Sequence, residues 1–235
     1  MHSLSFDALE PISRFISGPS KRQVGKHHVY CGSGQAVLVM PAFVSGPEST
    51  RALRNLLHHA GFAVHDWGLG IDYGPERGLD RLLRRLEERV IDVFEAERDT
   101  VTLIGCDLTG IYAREVAKRT TPVVRQVITI GSPVRVSDPH GRCLMLDTLL
   151  GPRSCVDNAK LNRLRQRPPV PCTSIYAPDD ELVPAIYAQE PESITSECIS
   201  VPVHRHSDLM LHPKTIEEIT LRIARTDEAW RLFEH

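Results

Sequence analysis

The sequence predicts an α/β protein built on a mostly parallel, doubly wound sheet. Short, continuous apolar runs such as Ala36–Met40 alternate with longer segments of helical periodicity between Gln35 and Ala224. A continuous apolar run is typical of a strand whose two faces are both covered in a parallel sheet. Strands that alternate with helices over most of a chain indicate a sheet with helices packed on both faces.

Each element is predicted from its own local pattern. The predicted strands are Ala36–Met40, Phe62–Trp67, Thr100–Gly105, Gln126–Ile130, Thr173–Tyr176 and Ser196–Val203. The predicted helices are a segment with Leu53, Leu56 and Leu57 on one face, then Leu79–Glu95, Leu108–Lys118 and Pro213–Ala224. Gly61 follows the first helix as a C-terminal cap, and Pro213 is suited to the first turn of the last one.

The 235 residues suit one domain. Residues 1–34 are expected to form an N-terminal helix, with helical spacing from Phe6 to Ile16, and a lead-in to the same domain. Residues 35–235 form the main part, with G-S-G at Gly32–Gly34 as a turn before it. An insert at about 135–171 contains two plausible short helices, Leu144–Leu150 and Asp157–Gln166, and would make a minimal cap.

Composition excludes several classes of function. The hydrophobic fraction is 41%, the charged fraction 25% and the net charge −2, so neither nucleic acid nor an anionic membrane is an expected partner. No apolar stretch is long enough to span a bilayer. The six cysteines lack C-x-x-C spacing and the N-terminus resembles no secretory signal. We therefore expect reduced thiols and a cytoplasmic location.

The segment Thr100–Gly110 carries the strongest chemical signal. It is T-V-T-L-I-G-C-D-L-T-G, in which a predicted strand runs directly into a predicted helix. Such a turn lifts its central side chain above the carboxyl end of the sheet and directs the first N–H groups of the helix toward a ligand. Small residues, here Gly105 and Thr109, are needed beside the turn. The central residue is Asp107.

With this elbow the chain resembles the α/β-hydrolase fold superfamily, in particular its small bacterial lipase- and esterase-like members. The resemblance runs from about Gln35 to Ala224 and rests on stretches in the family's order. Besides the elbow they are V-L-V-M-P-A-F at Val37–Phe43, H-D-W-G-L-G-I-D-Y-G-P at His65–Pro75, R-Q-V-I-T-I-G-S-P at Arg125–Pro133, Y-A-P-D-D-E-L-V-P at Tyr176–Pro184 and H-R-H-S-D-L-M-L-H-P at His204–Pro213.

The resemblance implies a role for particular residues. Asp107 stands where the family's nucleophilic serine usually stands, Asp180 matches the acid and His206 the histidine. The backbone N–H groups of Phe43 and Leu108 match the oxyanion hole. The resemblance implies no cofactor and no metal, and the expected partner is a small-molecule substrate.

An aspartate at the elbow predicts different chemistry from a serine. A carboxylate is ionised at neutral pH, so it attacks an sp3 carbon without a base and forms an alkyl-enzyme ester, which a histidine-activated water then hydrolyses. The resembling families with such an aspartate are the haloalkane and haloacetate dehalogenases and the epoxide hydrolases. This chain has no tyrosine in the insert and has Leu108 where haloalkane dehalogenases carry tryptophan, so the substrate stays open.

Other interpretations stay open at this stage. The chain could be a catalytically inactive binding protein, or an esterase-like enzyme in which Asp107 acts otherwise, for example as a general base. Asp107 could also cap the helix that follows it. The group His204, His206, Asp208 and His212 offers metal-ligand atoms, although its spacing matches no zinc motif. Cys106 is expected to be a buried, small residue under the turn.

Overall fold

The computed structural model describes residues 22–24, 27–75, 78–135, 149, 158–191 and 193–225. Its centre is a six-stranded sheet with the strand order β4-β3-β5-β6-β7-β8, in which every neighbouring pair is parallel. The strands are β3 (Ala36–Val39), β4 (Ala63–Asp66), β5 (Val101–Cys106), β6 (Val124–Ile130), β7 (Cys172–Tyr176) and β8 (Ser196–Ser200). The predicted strands are thus all present in the described part of the chain.

The helices connect these strands. They are α1 (Arg51–His59), α2 (Leu79–Glu97), α3 (Thr109–Arg119), α4 (Asn158–Arg165), α5 (Ala185–Ala188), α6 (His206–Leu209) and α7 (Pro213–Ala224), and a 3-10 turn at Pro47–Thr50 precedes α1. The two four-residue helices α5 and α6 were not predicted, because one helical turn carries no periodicity. β8 ends three residues earlier than predicted, before Pro202, which has no N–H for a ladder.

Two predictions concern residues that are only partly described. The predicted N-terminal helix lies outside the described residues. A short antiparallel pair, β1 (Arg22–Val24) and β2 (His27–Val29), lies in the predicted lead-in and was not predicted. In the insert, α4 corresponds to the second predicted helix, whereas the first lies outside the described residues except for Leu149.

Apolar side chains cover both faces of the sheet. One layer, which includes Leu38, Leu103 and Tyr112, lies under α2 and α3, and the other, which includes Val37 and Ile104, lies under α1 and α7. Successive residues of a strand point to opposite faces, so a strand covered on both sides is apolar throughout. Because the strands are parallel, the loops after them emerge at one edge. In the described residues, no helix is long and apolar enough to cross a bilayer.

Candidate active site

The elbow places Asp107 between β5 and α3 in a conformation that few side chains adopt. Its φ is 51°, in the left-handed region, and its N–H donates to Ile130 O at 3.0 Å. Such a conformation costs about 1–3 kcal/mol and persists where surrounding contacts impose it. The strand and helix approach closely enough that a Cβ on Gly105 would lie 2.4 Å from Gly110 Cα. The tight turn therefore depends on glycine, as the sequence pattern predicted.

Thr109 and Cys106 occupy the space beneath the turn. The Thr109 hydroxyl is fully buried; it accepts the Cys106 N–H at 3.0 Å and lies 2.8 Å from Pro41 O, to which it can donate. The hydroxyl thus links the elbow to the β3 loop, defined here as residues 41–46. Cys106 is buried as expected, and burial together with the charge of Asp107 raises the pKa of its thiol.

Asp107, His206 and Asp180 lie in direct contact and are called here the Asp–His–Asp cluster. His206 Nε2 is 2.6 Å from Asp107 Oδ1, and His206 Nδ1 is 2.6 Å from Asp180 Oδ2. The other oxygen of Asp180 accepts the N–H groups of Leu182 at 2.8 Å and Val183 at 3.0 Å, which orient the carboxylate. The three residues named from sequence come from loops after three different strands and meet at one point.

Electrostatics hold His206 as an imidazolium. Burial lowers the pKa of His206, but hydrogen bonds and charges from Asp107 and Asp180 outweigh it and raise the pKa to about 10. For Asp180, burial raises the pKa, whereas the bond to His206 and the two backbone N–H groups lower it to below its ordinary value. At neutral pH His206 is therefore a cation that lies between Asp107 and Asp180.

The two predicted oxyanion donors differ in their present partners. The Phe43 N–H donates to Asp107 Oδ2 at 3.1 Å. The Leu108 N–H has no acceptor among the described residues, and α3 has no side-chain cap, so Asp107 does not act as the helix cap that its position allowed. The two carboxylate oxygens of Asp107 are thus distinguished: Oδ2 faces a backbone N–H and Oδ1 faces His206.

Sequence reasoning missed two residues that shape this site. Gly131 follows β6 with φ 57°, and a Cβ there would lie 2.5 Å from His206 Cε1, so this glycine leaves room for the imidazole. Asp72, in the loop after β4, is 1% exposed, and its N–H donates to Ser45 O in the β3 loop at 2.9 Å. A glycine directly after a strand and an acid within a glycine-rich loop were the available signals.

The histidines proposed as metal ligands do not converge in the structure. His206 is used by the Asp–His–Asp cluster, His204 Nδ1 lies 3.7 Å from Asp179 Oδ2, and the His212 ring accepts the Lys214 N–H at 3.2 Å. Within the described ranges, no three histidine, cysteine or acidic residues are arranged to hold a metal ion.

Comparisons with known proteins establish the fold. No family model matches the sequence, and no curated protein is significantly similar to it. Among solved structures, the monoacylglycerol lipase of Paleococcus ferrophilus superposes with a TM-score of 0.54 at 13% identity, over 87% of this chain and 97% of that one. A lipase–esterase related protein of Clostridium acetobutylicum gives a TM-score of 0.57 at 16% identity, over 82% and 97%.

A third solved structure is an α/β-hydrolase enzyme from a sediment metagenome of the Mar Chica lagoon, Morocco, with a TM-score of 0.55 at 16% identity, over 86% of this chain and 96% of that one. Together with the parallel sheet and its flanking helices, these matches identify the fold of this chain as the α/β-hydrolase fold. At such identities the match concerns the fold, and the chemistry has to be inferred from the site.

Proposed function

We propose that this α/β-hydrolase-fold chain is a hydrolase that acts on a small organic substrate through Asp107 as nucleophile. The observation that carries the proposal is that the two carboxylate oxygens of Asp107 have different partners. Oδ2 accepts the Phe43 N–H, and Oδ1 contacts a histidine that is itself held by Asp180. That arrangement suits formation and subsequent hydrolysis of an ester on Asp107.

In the first step Asp107 Oδ1 attacks an sp3 carbon of the substrate. A bond forms between Oδ1 and that carbon, and the leaving group departs with the electron pair of the broken bond. A carboxylate needs no base for this attack, unlike a serine hydroxyl. The product is an alkyl ester on Asp107, which no longer carries a negative charge.

Loss of that charge prepares the second step. His206 keeps its high pKa partly through Asp107, so esterification lowers the pKa and releases the proton to the leaving group or to solvent. The neutral Nε2 then takes a proton from a water molecule that attacks Cγ of Asp107. Negative charge develops on Oδ2, which faces the Phe43 N–H. Collapse expels the alkoxide, which takes the proton from His206 and leaves as the alcohol. The carboxylic acid that remains on Asp107 then gives its proton to His206, which restores the carboxylate and the imidazolium.

Trapping the ester tests the proposal directly. His206→Gln removes the base of the second step, so a substrate that the wild-type protein turns over should leave a stable adduct on the peptide that contains Asp107. Intact-protein mass spectrometry after incubation with alkyl halides, epoxides and esters would detect it. The matched control, Asp107→Asn with His206→Gln, should carry no adduct. Absence of an adduct for every substrate that wild type consumes would refute the nucleophile.

An esterase-like mechanism, in which Asp107 and His206 act as a general base, is supported by their direct contact of 2.6 Å. A single turnover in water enriched in heavy oxygen separates the two mechanisms. The nucleophilic mechanism places the label in the Asp107 carboxylate first, because water attacks Cγ. The general-base mechanism places the label in the product and leaves Asp107 unlabelled.

A further inference from the structure

A cavity lies between α2 and the loop after β4. It has a volume of about 310 Å³ and is lined by apolar Trp67, Leu69 and Leu82, by the acid Asp72, and by Arg81 and Arg85. Trp67 and Asp72 are buried, whereas both arginines are exposed. The cavity therefore combines buried apolar and acidic side chains with two exposed arginines. Its volume is within the usual range for small-molecule sites.

The acid inside the cavity has an unused acceptor. Asp72 Oδ1 accepts the Gly74 N–H at 2.9 Å, but Oδ2 has no hydrogen-bond partner among the described residues although Asp72 is only 1% exposed. A buried acceptor without a partner costs about 1–3 kcal/mol, so such atoms are rare unless a ligand or a water molecule satisfies them. Because Asp72 lines the cavity, a ligand that enters it is able to supply the missing O–H or N–H donor.

Two exposed arginines that line the cavity have no acidic partner among the described residues. Arg81 and Arg85 stand one helical turn apart on α2, and neither forms an ion pair or side-chain hydrogen bond with the described residues. Arg119, by contrast, is occupied by Asp80 and Glu87. The N-terminus of α2 has no side-chain cap at Gly78, which also lines the cavity, so the helix dipole adds to the positive potential.

From these features we infer that the cavity is a binding site for a small organic carboxylate that also carries a hydrogen-bond donor. The carboxylate pairs with Arg81 and Arg85, whose guanidinium groups favour that geometry. The apolar body packs against Trp67 and Leu82, and the donor bonds Asp72 Oδ2. The site goes beyond the proposed hydrolysis and does not depend on Asp107 being the nucleophile.

Occupancy of this cavity is connected to the Asp–His–Asp cluster through the backbone. The Asp72 N–H donates a hydrogen bond to Ser45 O at 2.9 Å, and the Ser45 hydroxyl donates to Phe43 O at 3.2 Å. Phe43 carries the N–H that contacts Asp107. A ligand that bonds Asp72 therefore contacts the loop after β4, whose hydrogen bond to Ser45 O helps to position the β3 loop.

Calorimetric titration with three probes tests the inference: para-hydroxybenzoate has both groups, benzoate lacks the donor and para-cresol lacks the carboxylate. Measurements above pH 7 keep Asp72 ionised, because burial, together with the charge of Asp107, raises its pKa to about 6. Para-hydroxybenzoate should bind most tightly, benzoate less tightly and para-cresol most weakly. No binding of para-hydroxybenzoate by wild type at millimolar concentration, or equal binding of all three probes, would overturn the inference.

Matched arginine variants locate the carboxylate end. Arg81→Gln and Arg85→Gln should each weaken binding of both carboxylates about tenfold, the loss of one charge-assisted hydrogen bond. Arg84→Gln is the control, since Arg84 is exposed on the same helix but does not line the cavity. An equal loss in Arg84→Gln would mean that only the general charge of α2 attracts the probes, and the assigned site would be wrong.

Asp72→Asn locates the donor end. The amide oxygen is expected to keep the Gly74 N–H, so an NH2 group would replace the free acceptor Oδ2. The advantage of para-hydroxybenzoate over benzoate should then disappear, while benzoate still binds. Persistence of that advantage would exclude Asp72 as the acceptor. Asp107→Asn should leave the order of affinity of the three probes unchanged, so failure of the hydrolase proposal and failure of this site give different results.

Discussion

Two ionic clusters lie beside or on helix α3, and they differ in what they are able to do. At its N-terminal end, the Asp–His–Asp cluster leaves the side chains of Asp107, His206 and Asp180 16%, 9% and 2% exposed. Farther along the helix, Arg114 pairs with Glu190, and their side chains are 3% and 1% exposed. Next to it Glu115 pairs with Lys118 and Arg163.

The difference shows that a buried ion pair does not by itself mark an active site. The pair of Arg114 and Glu190 contains no imidazole, and both side chains are buried. We therefore assign it a structural role, in which it links α3 to the segment before β8. The Asp–His–Asp cluster combines an imidazole, a carboxylate that solvent reaches and a left-handed backbone at Asp107. Solvent access to the carboxylate and a neighbouring group that exchanges protons, in addition to charge, distinguish a site that is able to react.

The largest expected effect comes from replacing Asp107 in the Asp–His–Asp cluster. Asp107→Ala and Asp107→Ser should each lower kcat on any wild-type substrate by at least about a thousandfold, because the nucleophile is lost. Asp107→Ser rebuilds a Ser–His–Asp arrangement and is expected to gain weak activity on activated aryl esters. Rates are measured on samples whose thermal midpoints have been compared. Unchanged turnover in either variant would refute Asp107 as the nucleophile.

The next largest effect is expected when the ion pair between Arg114 and Glu190 is broken. Glu190→Ala leaves the Arg114 guanidinium buried, with Gln166 O at 3.4 Å as its one remaining hydrogen-bond partner among the described residues. The change should lower the free energy of unfolding by about 3–5 kcal/mol. Urea denaturation measures the loss. Replacing Arg114 by Met and Glu190 by Leu together should recover most of it. Turnover per folded molecule should stay at the wild-type value, which would separate a fastening role from a catalytic one.

A smaller effect is the pH dependence of stability. The folded-state pKa of His206 is raised from 6.5 to about 10, so its contribution is complete below pH 6.5 and is lost as the pH rises toward 10. The free energy of unfolding should fall by up to about 1.4 kcal/mol per pH unit in that window. Urea midpoints of wild type and His206→Gln measure it, and equal slopes in the two proteins would contradict a raised pKa.

The smallest effect concerns Asp72. Its folded-state pKa is raised from 3.8 to about 6, so the folded state holds the proton more tightly than the unfolded chain, and ionisation lowers stability as the pH rises between these values. Above pH 6, Asp72→Asn should therefore raise the free energy of unfolding by about 1–3 kcal/mol, with no gain at pH 3. A gain of equal size at both pH values would point to packing as the cause.

Local patterns were sufficient for the six strands of the parallel sheet and for its longer helices, and the family resemblance supplied the three side chains of the Asp–His–Asp cluster. The apolar runs at Ala36–Val39 and Val101–Cys106 specified strands because both of their faces are covered. The spacing around Asp107 specified a tight turn because small residues are required where strand and helix nearly touch. Such information lies within a few residues along the chain.

Only the tertiary structure decided what depends on distance through space. The contacts of His206 with Asp107 and Asp180 join residues 99 and 26 positions apart. Glu190 lies 76 positions from Arg114, and no sequence pattern paired them. Burial and charge partners set the pKa values of His206 and Asp72, and both are properties of the packed chain. The sequence determined which groups stand at each strand end, and folding determined which of them meet, how deeply they are buried and which acceptors stay free.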